Sequence, residues 1–185
     1  MPVTLGGSPT HVLIVHVVVV LLPVSVVAAL LLVLVPSTRR PFSLLGLLVA
    51  FVACIAIPFA FLSGSALEHR IGVTPLISTH VTLAHELLPL AAVFGVAFAA
   101  FVAVDLLRRA RHGRLNDLEQ RVVDASPAVQ RYADSHRLIG AYRGSAAVLV
   151  VLAVLTGIQV YRVGDAGARA AWSGRIPPAN TAARR

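Results

Sequence analysis

The sequence predicts an all-α integral membrane protein, a four-helix bundle with both termini outside. Three observations predict it. The composition is 57% hydrophobic and only 13% charged, with a mean hydropathy of +0.84, where soluble domains carry about 25% charge. Four long apolar runs punctuate the chain, and none alternates with the period of two that a half-buried strand needs, although valine is abundant. The positive residues gather in alternate connections, as the distribution of cations across a membrane requires. A chain of 185 residues has room for one such bundle and little else.

A helix crosses the bilayer core of about 30 Å with roughly 20 apolar residues. The first run, Val12 to Val35, carries no charge; it is too long for the apolar core of a cleaved signal peptide and has no basic flank before it. The second span is expected from Phe42 to Leu62, the third from His80 to Val104 and the fourth from Leu138 to Tyr161. Pro23, Pro58 and Pro89 fall inside spans, where neighbouring helices can satisfy the freed carbonyls. These spans form one domain over residues 1–167, followed by an extended polar tail over 168–185.

Orientation follows from arginine, because all 16 positive residues are arginine. Arg39 and Arg40 lie in the first connection, and Arg108, Arg109, Arg111, Arg114, Arg121, Arg131 and Arg137 in or beside the third. The second connection has Arg70 alone. Cations stay inside, so the first and third connections are placed in the cytoplasm. The only long polar segment, 105–137, has Leu115, Leu118, Val122 and Val123 at helical spacing, which predicts a short amphipathic helix lying on the inner leaflet and broken at Ser126 and Pro127. The net charge of +8 here sets membrane orientation; without interleaved aromatic residues it does not describe a nucleic-acid surface. No repeat of solenoid length is visible.

Seven histidines carry most of the functional information. His112 and His136 belong to the cytoplasmic connection and are expected to be solvated. His11, His16, His69, His80 and His85 gather at the opposite end. His16 lies 20 residues before Pro36, and His85 lies 20 before Asp105. The first and third spans run the same way, so the two histidines share a depth near the outer edge of the hydrocarbon, roughly 30 Å from those landmarks. Two neutral imidazoles presented from two helices at one level are the axial ligands of a six-coordinate haem iron. His16 and His85 are therefore the expected ligands, with Arg162 or Arg70 meeting a propionate. Without a Cys-x-x-Cys-His sequence, the haem would be b-type and held noncovalently.

Residues five apart on a helix point about 140° apart, so His11 and His16 cannot both face one ring. His11 and His80, with His69, form the alternative set. His11, His16, His69 and His80 with Glu68 and Glu86 would also suit zinc, copper(II) or iron without porphyrin. An imidazole is equally comfortable in the headgroup zone for its own sake. Glu86 beside His85 needs a partner at that depth. Gly140 and Gly144 read as a helix-packing pair, Ala97, Ala99, Ala100 and Ala103 as close-packing residues, and Cys54 as a small buried apolar residue. One cysteine excludes an internal disulfide and a thiolate metal cluster.

The stretch Ser8-Pro-Thr-His11-Val-Leu-Ile-Val-His16 resembles the His-Pro-Leu-Leu-Val-His-Phe-Pro signature of a bacterial membrane family, domain of unknown function 2231. His85 matches the histidine of that family's His-xxx-Asn, with Pro89 in place of the asparagine, and Tyr161-Arg162-Val163-Gly164 with Gly167 is similar to its closing Tyr-Arg-x-Gly-x-Gly. Val12, Val17 and Val18 depart from the signature. The resemblance spans Gly7 to Gly167 and implies a four-helix membrane module of the bacterial inner membrane, with no assigned reaction. The expected function is a b-type cytochrome-like subunit without catalysis of its own, passing electrons among other membrane subunits of a redox complex. A noncatalytic scaffold subunit and a transition-metal-binding membrane protein are the alternatives.

Overall fold

A computed structural model describes residues 4–5, 8–113, 115–125 and 138–173. A two-residue hairpin pairs β1 (Thr4–Leu5) with β2 (Ser8–Pro9). Then come α1 (Thr10–Leu34), α2 (Arg39–Ile71), α3 (Pro75–Ala110), the short α4 (Asp117–Asp124) and α5 (Leu138–Trp172). The four long helices are each long and apolar enough to cross a membrane. Three of them outrun the expected spans. With 33 to 36 residues they are about 50 Å long at 1.5 Å per residue, so their polar ends stand clear of the hydrocarbon.

The tail is the largest correction. Residues 168–172, expected to be extended, continue α5 as far as Trp172. Ala166, Ala168, Ala170 and Ala171 are strong helix formers, and an already nucleated helix extends at little cost. Asp165 pairs with Arg169 one turn later at 2.8 Å. The remainder of the tail from 174, and the expected break at Ser126 and Pro127, lie outside the described residues, as does His136.

Each turn has a local cause. Between α1 and α2, Pro36–Thr38 forms one 3-10 turn, and Arg39 reaches back to cap α1, its Nε donating to Leu32 O at 2.6 Å and Nη2 to Val33 O at 2.8 Å. Those are carbonyls a helix end leaves without partners. Between α2 and α3, Gly72 takes φ +82° and ends α2, a conformation that side chains resist. Thr74 then caps α3 by accepting from Ile77 N–H at 3.3 Å, with Pro75 in the first turn.

The long helices alternate in direction and form a ring. α1 packs chiefly on α2 and α3 on α5, while lesser contacts between α1 and α5 and between α2 and α3 close it. The parallel helices α1 and α3 therefore stand on one diagonal. Five histidines gather at one end of the bundle, and Arg39, Arg108 and Arg109 surround Asp105 at the other.

The two tight pairs are equivalent halves. The buried α1 residues Val18, Leu22, Ser25, Ala29 and Leu32 have counterparts 69 positions later in Leu87, Ala91, Phe94, Phe98 and Phe101, all buried on α3. Ala50 and Ala53 of α2 likewise correspond to Ala153 and Thr156 of α5, 103 positions on. The halves are related by a pseudo-two-fold axis down the bundle, a repeat much longer than a solenoid's. Small residues in one half meet large ones in the other: a methyl group on Gly46 would stand 3.2 Å from Phe98 Cζ.

α4 does not lie free on the membrane surface. Glu119 and Val123 are buried, because Glu119 is drawn into a cluster of charges at the arginine end. Arg109 donates from Nη1 to Glu119 at 2.5 Å and faces Asp105 with Nε at 2.9 Å; Arg39 and Arg108 each lie 3.9 Å from the same Asp105 carboxylate. Arg109 Nε and Asp105 are close in charge but misaligned for a hydrogen bond. Ser43 bridges Arg109 and Glu119, and Arg108 lies 4.3 Å over the Tyr142 ring. Asn116 and Glu119 also form a capping box that starts α4. Arg143, in the second turn of α5, is exposed.

Several expected packing residues face outward instead. Gly140 and Gly144 are exposed with nothing near them, and so are Ala99, Ala100 and Ala103, whereas Ala97 packs against the core. Small size permits packing without deciding which way a helix turns. Cys54 is half-buried, its thiol directed at Ala91 O at 3.3 Å.

Candidate functional site

The histidine end contains the candidate site, and there the expected pair and the outer pair are placed differently. His16 and His85 are exposed, and neither turns toward the interior of the bundle. Each directs Nδ1 at the carbonyl one turn back on its own helix, His16 to Val12 O at 2.6 Å and His85 to Val81 O at 2.9 Å. His85 also meets Phe61 of α2 edge-on, 4.5 Å between ring centres. The rotation of α1 and α3 about their axes is set by core packing. Val18, Leu22, Leu87 and Ala91 turn inward and carry the inner histidines to the outside.

The outer pair turns in. His11 reaches from α1 to α2, its Nδ1 2.9 Å from Ala60 O and 3.3 Å from Ser63 Oγ. His80 reaches from α3 to α5, its Nδ1 3.0 Å from Val163 O. A carbonyl only accepts, so Nδ1 carries the proton in both rings and Nε2 of the neutral imidazole keeps a lone pair. Each ring lies against a glycine: a methyl group on Gly64 would stand 2.9 Å from His11 Cε1, and one on Gly167 would stand 3.1 Å from His80 Cε1. His11 with Ala60 and Gly64 thus corresponds, across the pseudo-two-fold axis, to His80 with Val163 and Gly167.

The remaining expected residues fall elsewhere. His69 and Arg70 are exposed in the last turn of α2, and His112 is exposed beyond α3. Arg162 is half-exposed and already engaged: Nη1 donates to Gln159 Oε1 at 2.9 Å and lies 3.9 Å from Glu86. Gln159 in turn donates to Glu86 at 3.0 Å and to Leu83 O at 3.0 Å, so the carboxylate beside His85 finds its partners on α5. Among the described residues, no three His, Cys, Asp or Glu side chains are grouped to hold a metal ion. Gly64 went unrecognised in the sequence, and its one available signal was its place four residues after the small Ala60.

With four long apolar helices and the paired histidine-glycine contacts in place, comparison with known families is decisive. The model of a family described as predicted membrane protein (DUF2231) matches residues 7–179. The chain belongs to that family. Domain of unknown function 2231 is thus present over nearly the whole chain, including both histidine-bearing halves. The closing Tyr161-Arg162-Val163-Gly164 with Gly167 also acquires a physical reading, since Val163 supplies the carbonyl and Gly167 the room for His80. No curated protein and no solved structure matches the chain.

Proposed function

We propose that this DUF2231 protein is a small membrane-embedded haem b subunit that carries electrons within a redox assembly, with His11 and His80 as its axial ligands. One observation supports this reading above the rest. Both imidazoles are oriented by an Nδ1–H bond to a carbonyl on the neighbouring helix, the arrangement that orients metal-ligating histidines generally, and each leaves Nε2 free. They come from the diagonal helices α1 and α3, at equivalent positions about the bundle axis. Two imidazoles without a third ligand suit the axial positions of haem iron better than a structural zinc, which takes four. Bound haem would supply one-electron chemistry. The protein's part is to fix the ring orientations and surround them with apolar helices.

The Arg-rich end faces the cytoplasm on the positive-inside rule, so the histidine end faces outward on this reading. The scaffold alternative draws on the same two contacts, because each also clasps a helix pair without any cofactor. An absorption spectrum separates them. Detergent-purified protein, oxidised and then reduced with dithionite, is expected to show a shifting Soret band and sharp α and β bands. His11→Ala and His80→Ala should each abolish the six-coordinate spectrum, while His16→Ala and His85→Ala should retain it. The reverse pattern would return ligation to the inner pair, and a featureless spectrum from folded protein would sink the haem reading.

A further inference from the structure

The pseudo-two-fold axis allows each half to serve as a control for the other. On α3 and α5, Glu86, Gln159, Arg162, Asp165 and Arg169 form a polar tract at the histidine end. At the equivalent places in the other half stand Val17, Ala56, Phe59, Leu62 and Ala66. The α1–α2 pair carries its histidine with none of these polar groups, so helix packing does not require them. They line or adjoin a groove of about 360 Å³ between α3 and α5, walled by Leu76, Thr79 and Leu83 on one side and Tyr161, Arg162 and Asp165 on the other.

We propose that this groove binds the headgroup of a membrane quinone. The inference rests on the redox reading only for preferring a quinone to an inert lipid. Each arginine here already faces a carboxylate, Arg162 with Glu86 at 3.9 Å and Arg169 with Asp165 at 2.8 Å. The charges balance, so an anionic headgroup gains no net attraction. A neutral ring with carbonyl oxygens can accept hydrogen bonds from the guanidinium groups and the Tyr161 phenol. The hydroxyls of its reduced form can donate to the carboxylates. Leu76 and Leu83 offer an apolar wall for the first part of the tail. The groove also adjoins the mount of His80: Thr79 precedes that histidine, and Arg162 precedes the Val163 that accepts its N–H.

Trp172, the chain's single tryptophan, is exposed one turn beyond Arg169 and reports on the site, because quinones quench indole fluorescence at short range. The full chain in phosphatidylcholine nanodiscs is titrated with decylubiquinone. Saturable quenching is expected, unchanged in His11→Ala, so failure of the haem reading would not hide it. Arg162→Gln should weaken the apparent affinity about tenfold, the loss of one charged hydrogen-bond donor of about 1.5 kcal/mol. Leu83→Phe, which fills the groove, should abolish saturation. Quenching that stays linear and equal in all of these proteins overturns the proposal. Reversal by added phosphatidylglycerol also overturns it and assigns the groove to an anionic lipid headgroup.

Discussion

Gly167 lies against His80 so closely that a methyl group there would stand 3.1 Å from the imidazole Cε1. Gly64 holds the same relation to His11, where a methyl group would stand 2.9 Å from Cε1. Both rings are caught between a glycine and a carbonyl of the neighbouring helix, which leaves them little freedom to turn. Gly64→Ala and Gly167→Ala should each displace the ring and break its Nδ1 bond, destabilising the protein by about 1–3 kcal/mol through overpacking. Thermal unfolding in detergent measures the cost. If a ligand is held between His11 and His80, either substitution should weaken its binding as well, and equal stability with an unchanged spectrum would contradict the contact.

Gly140 and Gly144 supply the opposite case. Nothing lies within 4 Å of a methyl group at either position, and both are helical. Alanine there should be neutral or stabilise α5 by up to about 1 kcal/mol, the difference in helix propensity. A marked loss of stability on Gly140→Ala or Gly144→Ala would show that these glycines pack against a second molecule.

Much of this fold was legible in the sequence, and the unread parts share a cause. Span count and the gathering of histidines at one end depend on hydropathy and position, which a single chain displays. The inward turn of His11 and His80 depends on which stripe of α1 and α3 is buried, and apolar residues surround those helices on nearly every side. The duplication is obscured because its halves are complementary in volume rather than alike: Ser25 corresponds to Phe94 and Ala29 to Phe98. The charge cluster was unreadable for another reason. Arg39 and Glu119 are far apart in sequence, and each sits in a basic connection where charged residues are ordinarily solvated. Only the folded bundle brings them beside Asp105.

That cluster makes α4 a removable element. Glu119 is 1% exposed and shared between Arg109 and the α4 capping box. Removing one partner of a buried ion pair costs about 3–5 kcal/mol, so Glu119→Ala should detach α4 while the apolar core of the four long helices holds. Limited proteolysis is expected to cut Glu119→Ala at Arg121 far faster than the parent protein, with the helical circular dichroism nearly unchanged. Equal cleavage rates would mean that α4 is held by Val123 and not by charge.

The fit between the two halves can be tested where a glycine of one meets a phenylalanine of the other. Gly46 of α2 and Phe98 of α3 meet across the bundle, with Ala28 and Leu32 completing the walls around the glycine. Gly46→Ala should destabilise the bundle by about 1–3 kcal/mol, because Phe98 is fully buried and has no free space to enter. Phe98→Leu alone should cost a similar amount by leaving a cavity. Combined, the two changes compensate, since the shorter side chain vacates the space the new methyl group takes. The double variant should therefore be more stable than the sum of the single losses implies, by a coupling of about 0.5–3 kcal/mol. Simple additivity in a double-mutant cycle would mean that α2 and α3 adjust independently, and the complementary volumes would then not hold the halves in register.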